Sequence, residues 1–196
     1  MKKIPIYIAI DCGENMLSLY PVVKNVLAIL IDNARHDPNA LESMWMCFIA
    51  VGSTFNVVKP LRPLDEIHGI SIKPINGRAN TNTFETEIVQ LFASDLINRR
   101  TEVLKPDYRP RVFWISDGTH SEFVKKCVNP YHWKRSGTVA WFAEIDCSID
   151  GVESLVKESS FWICNPYDDE LLPDEEEYLE LQPRIGLHLP PNWPRE

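Results

Sequence analysis

Apolar residues recur along this chain with two different periods. Ile4, Ile6, Tyr7, Ile8, Ala9 and Ile10 form an almost continuous run that stops at Asp11. Apolar side chains on consecutive positions predict a strand covered on both faces. Val22, Val23, Val26, Leu27, Leu30 and Ile31 fall instead at helical spacing, with Pro21 where a first turn tolerates it and Asp37-Pro38 as a stop. A helix is expected over 21–35. Residues 44–51 and 55–61 read as strands close enough for a hairpin through Gly52-Ser53-Thr54, and 70–75 as a further short strand. Ile88, Leu91, Phe92 and Leu96 set a helix over 83–100. A strand over 112–116, a short helix over 121–128, a strand over 139–145, a helical turn or two over 152–157 and a last strand over 161–164 complete the pattern. Strands alternating with helices predict an α/β fold of three layers, Rossmann-like. Its central sheet is expected to be mostly parallel with one antiparallel edge strand, and to carry helices on both faces.

Composition narrows the class. The 196 residues suffice for one domain with a proper core. A net charge of −8 disfavours a general nucleic-acid binder, which needs a basic face. The longest apolar stretches fall short of the ~20 residues of a bilayer span, and the start of the chain enters a strand without a signal-peptide layout. Five scattered cysteines suit reduced thiols better than a disulfide framework. The expectation is a cytoplasmic protein with neither nucleic acid nor membrane as partner. Charge is uneven: residues 165–196 hold nine acidic side chains against Arg184 and Arg195, a net −7 that leaves −1 for the rest. That segment also holds six of the 15 prolines. A domain over 1–164 is therefore expected, followed by an acidic, proline-rich extension over 165–196. Tyr178, Leu179, Leu181 and Trp193 are apolar enough to pack part of it on the domain.

In such sheets ligands bind outside the carboxyl ends of the strands. Asp11 and Asp117 each follow a buried strand directly, and the polar loop 76–83 lies between them in sequence. Either aspartate alone is as readily a helix cap; together with the loop they suggest a converging site. Other chemistry is poorly supported. Cys12 has no arginine in the following loop to hold an anion and reads as a buried small residue. His120, Cys127 and His132 lack the paired spacing of a zinc site. An aspartyl-phosphate mechanism would want a carboxylate where Gly13 stands, and no phosphate-binding loop, nucleophile elbow or dinucleotide fingerprint occurs. Trp45, Trp114, Trp141 and Trp162 read as core, whereas Trp133, within Tyr131-His132-Trp133-Lys134-Arg135, reads as an exposed anchor.

The segment from Pro5 to Met16, with Asp11-Cys12-Gly13-Glu14-Asn15-Met16 at its end, resembles the strand and Asp-x-Ser-x-Ser-Met metal loop of a von Willebrand factor A domain of the TerY type, the tellurite-resistance-associated group. The resemblance continues in order through Asp37-Pro38-Asn39-Ala40-Leu41-Glu42-Ser43, Pro60-Leu61-Arg62-Pro63-Leu64, Asp107-Tyr108-Arg109-Pro110 and Ser116-Asp117-Gly118. It implies a metal-ion-dependent adhesion site in which an Mg²⁺-like cation takes oxygens from two loops and a late aspartate, with one position left for a partner's carboxylate. Carried over by position, the metal-facing residues are Asp11, Asn15, Thr81 and Asp117, with Thr83 or Asn80 as alternatives to Thr81. Gly13 replaces one serine, Asn15 the other, and Arg78 stands where a glycine-rich run is usual. The expectation is therefore a degenerate site that binds by shape and polar contacts.

Two functions of different class follow. The first is a non-catalytic protein-interaction module, an adaptor of a bacterial stress-response or signalling system. Its rim residues would be Glu14, Asn15, Arg78, Asn80 and Trp133, and its implied partner a protein kinase or a PP2C-type phosphatase. The second is a metal-dependent phosphohydrolase using Asp11 and Asp117.

Overall fold

The computed structural model describes residues 3–98, 110–120, 122–123 and 141–159. The expected strand over 161–164, most of the helix over 121–128, Trp133 and the extension over 165–196 lie outside the described residues. Strand β1 (Ile4–Asp11) leads through a 3-10 turn (Glu14–Leu19) into helix α1 (Tyr20–His36). A short α2 (Pro38–Ser43), strands β2 (Met44–Val51) and β3 (Phe55–Pro63) and helix α3 (Thr81–Asn98) follow. Strands β4 (Arg111–Ser116) and β5 (Trp141–Asp146) and helix α4 (Val152–Ser159) end the described chain.

The five strands are ordered β3-β2-β1-β4-β5. β1 pairs in parallel with β2 and β4, and β4 with β5; β3 alone runs antiparallel, against β2. All eight residues of β1 and of β2 are buried, as expected of strands covered on both faces. On one face Ile6, Ile8 and Ile10 of β1 meet Val23, Val26 and Leu30 of α1 and Val152 and Val156 of α4. On the other, Tyr7 and Ala9 join Trp114 of β4 and Phe84, Ile88 and Phe92 of α3. The three-layer expectation holds.

Three local features differ from the expectation. Residues 70–75 form no strand. Ile70, Ile72 and Ile75 instead pack half-buried against the α1 side of the core, and Ile75 N–H donates to Cys12 O at 2.8 Å. Helix α2 was not expected, although Asp37 accepts from Asn39 N and Pro38 takes the first helical position, a start signal legible in the sequence. Residues Glu14–His36 are long and apolar enough by composition to cross a membrane, an 18-residue window within them reaching a mean hydropathy of 1.2, contrary to the sequence estimate. Here the apolar stripe of α1, from Val23 to Ala34, lies on the sheet.

Candidate functional site

The strand order reverses at β1. From there the chain builds β2 and β3 to one side, and β4 and β5 lie on the other. The gap beyond the carboxyl ends of β1 and β4 is the place where an open α/β sheet leaves room for a ligand. Asp11 ends β1, and Asp117 directly follows β4. The two aspartates meet there.

Asp11 is fully buried. Its Oδ1 accepts from Gly13 N–H at 2.7 Å, and its Oδ2 accepts from Asn15 Nδ2 at 3.4 Å and faces His120 Nε2 at 3.1 Å. Asn15 Nδ2 also donates to Asp117 Oδ2 at 2.7 Å, so one amide bridges the two carboxylates. Asp117 Oδ1 accepts from Thr119 N–H at 3.1 Å and from Thr119 Oγ1 at 2.6 Å. Burial by itself would raise the Asp117 carboxyl, but the hydrogen bonds from Asn15 and Thr119 outweigh it and hold the group below the usual aspartate range. His120 moves the opposite way: its hydrogen bond with Asp11 raises it, against burial, so the ring favours the charged form.

Beneath this pair lies a second buried acid. Glu144 of β5 is 1% exposed and accepts from Ser116 Oγ at 2.6 Å. Ser116 Oγ in turn accepts from Gly118 N–H at 3.1 Å, which braces the turn behind Asp117. Burial pushes the Glu144 carboxyl up to about 7, the Ser116 hydrogen bond opposing and nearby Asp146 adding to the rise. Cys12 is fully buried, and burial pushes its thiol up to about 11, as suits a packed small residue.

The loop over 76–83 reaches the same rim. Glu14 Oε1 accepts from Gly77 N–H at 3.0 Å while Glu14 N–H donates to Gly77 O at 3.1 Å. Asn80 caps α3, its Oδ1 accepting from Thr83 N–H at 3.1 Å. Thr81 opens α3, and none of the hydrogen bonds joining Asp11, Asn15 and Asp117 reaches it. Arg78 is exposed and, with Asn15, Thr119 and His120, walls a cavity of about 200 Å³. A larger cavity of about 520 Å³ lies along α1 between Leu27, Ile31, Arg35 and Ile70, away from the carboxylates. Sequence reasoning weighed His120 only as a zinc ligand, because nothing in its spacing connects it with Asp11, 109 residues away.

The donor set does not fit a hard cation, which requires converging oxygens. Between the aspartates stands the Asn15 N–H₂ group, while its Oδ1 is buried without a partner among the described residues. A side chain at position 13 would be crowded, since a Cβ there would lie 2.7 Å from Asn15 Oδ1 and 3.0 Å from Gly77 O. Among the described residues no three His, Cys, Asp or Glu side chains are grouped to hold a metal.

No family model matches the chain, and no curated protein matches it in sequence. Solved structures do match. Proximal thread matrix protein 1 from the mussel byssus is 9% identical with a TM-score of 0.51, over 83% of this chain and 48% of that one. A von Willebrand factor type A protein from Catenulispora acidiphila is 12% identical, TM-score 0.47, over 83% of this chain and 42% of its own. A mixed α/β fold, its five-stranded sheet mostly parallel with one antiparallel edge strand, is what the chain shares with the mussel protein. The protein BatB from Bacteroides thetaiotaomicron is 13% identical, TM-score 0.42, over 72% of this chain and 65% of its own. The chain thus spans 42% to 65% of the length of these three structures.

Proposed function

We propose that this chain is a non-catalytic protein-interaction module, an adaptor that binds a protein partner at the carboxyl edge of its sheet. The observation that carries this reading is the state of Asp11. It is fully buried, with Oδ1 held by Gly13 and Oδ2 by Asn15 and His120. A carboxylate so enclosed is a brace for the rim, not a nucleophile or a general base, either of which must reach a substrate. Among the rim groups that do reach solvent are Glu14, Leu17 (52% exposed), Arg78 and Asn80, a surface for contact. The resemblance to von Willebrand factor A domains suits such a module, although fold alone leaves function open.

The finer assignment rests on the sequence resemblance to the TerY type. It makes the chain a cytoplasmic adaptor of a bacterial stress-response system, with a protein kinase or PP2C-type phosphatase as partner. A photocrosslinking residue at Leu17, with a second at Glu42 as a distant control, tests the reading on the full chain. An adduct with a kinase or PP2C-type phosphatase of the same genome is expected from Leu17 and not from Glu42. Hydrolysis of p-nitrophenyl phosphate with magnesium or manganese, abolished by Asp11→Asn, would overturn it in favour of the phosphohydrolase.

A further inference from the structure

An interaction module is defined by the chemical group it captures, and the inference here rests on the interaction reading above. The cavity beside the aspartates is walled by Asn15, Arg78, Thr119 and His120. Both carboxyl groups beneath it are already engaged. Asp11 is held by Gly13, Asn15 and His120, and Asp117 by Asn15 and Thr119. Arg78, by contrast, forms no ion pair among the described residues. Its backbone is held in the loop, because the neighbouring Gly77 exchanges two hydrogen bonds with Glu14 and takes a φ of +83°, which favours glycine. His120 is anchored through Nε2 on Asp11, which leaves Nδ1 without a partner among the described residues.

The wall is thus formed by a guanidinium, an imidazole and the amide that stands where a cation would bridge the aspartates. A metal ion entering here would meet N–H donors and a guanidinium. A dianion such as phosphate would carry two charges toward the two aspartates held just below. A single planar carboxylate matches one guanidinium in shape and charge. We propose that the site works without a metal, the Asn15 amide and His120 replacing the cation, and that it takes an aspartate or glutamate side chain of a partner protein on Arg78 and His120.

The test uses the full chain, isotopically labelled, and follows the Arg78 side-chain and His120 ring resonances by NMR. The probes are N-acetylglutamate N-methylamide, its glutamine counterpart and inorganic phosphate, at matched ionic strength and constant pH. In excess EDTA the glutamate probe is expected to shift both resonances with a Kd on the order of 1–10 mM, as for one isolated ionic contact. The glutamine probe should leave them in place, and added magnesium chloride should not change the affinity. Arg78→Gln should weaken the glutamate response by roughly tenfold with an unchanged Tm, and Arg78→Lys should restore part of it. Equal shifts from the glutamine probe, a requirement for magnesium or tighter binding of phosphate would each overturn the proposal. None of these outcomes touches crosslinking from Leu17. Failure of that crosslink, in turn, would sink the adaptor reading while leaving carboxylate binding measurable.

Discussion

Asn15 decides what the rim can hold. Its Nδ2 lies 2.7 Å from Asp117 Oδ2 and 3.4 Å from Asp11 Oδ2, so one neutral amide keeps two carboxylates together. Asn15→Asp replaces that donor with a third negative group. In EDTA the variant is expected to lose ~1–3 kcal/mol in urea unfolding. Millimolar magnesium should restore it, since three carboxylates offer the oxygens a hard cation takes. Wild-type stability should not respond to magnesium. A variant as stable as wild type in EDTA would show that the bridge contributes nothing.

Glu144 makes a second prediction at this scale. Its carboxyl is raised from 4.5 to about 7 in the fold, so the native state binds the extra proton between those values. The stabilising contribution is full below pH 4.5 and is lost as pH rises through 7, a loss on the order of 3 kcal/mol. The groups that face it are Ser116, Asp146, His120 and Asp117. The raised His120 acts with the same sign, whereas the lowered Asp117 contributes stability that is lost only as pH falls below the ordinary aspartate range. Glu144→Gln keeps an acceptor for Ser116 and removes one titration. Urea unfolding across this pH range should give a shallower profile for the variant than for wild type; parallel profiles would refute the assignment.

At the scale of elements, α3 is held to the sheet by aromatic contacts more than by its own pattern. Phe84 is fully buried, with ring centroids 5.0 Å from Trp114 and 5.7 Å from Phe123. Phe84→Ala is expected to cost ~3–5 kcal/mol in chemical denaturation. Because Phe84 follows the Asn80 cap, the variant should also loosen the loop that carries Arg78 and raise hydrogen exchange at Gly77 and Asn80. Destabilisation under ~1 kcal/mol would show that the site closes around the gap. The central strands and α1 were legible because burial on both faces and helical spacing leave direct marks in the sequence. Asp11 and Asp117 were legible for the same reason, since each directly follows an apolar run. The region over 70–75 misled because Ile70 and Ile72 alternate with polar residues as a strand does, yet together with Ile75 they cover the core without a ladder. His120 and the Asn15 bridge were not legible. They depend on β1 and β4 being neighbours, which sequence order does not reveal.

For the whole molecule, the sheet has an open side at β3, the edge of the described strand order. An unpaired edge is a template for further strands, and natural sheets blunt it with proline, charge and irregular register. All three are present. Pro60 and Pro63 remove backbone donors, Lys59 and Arg62 add charge, and the pairing with β2 shifts register between Met46 and Phe48 and again between Phe48 and Ile49. Val57, 41% exposed, is the apolar residue these features protect. The net charge of −8 adds repulsion between copies that falls with salt. Lys59→Val combined with Pro60→Val should restore a donor and extend the apolar run from Val57 to Leu61 while leaving the core intact. The double variant is expected to unfold at the same urea concentration as wild type, within ~1 kcal/mol. It should nevertheless associate at protein concentrations where wild type does not, and more strongly as salt rises, in light scattering. Equal scattering from the two proteins at every salt concentration would mean that the register shifts and charge suffice, and that Lys59 and Pro60 have no part in guarding the edge.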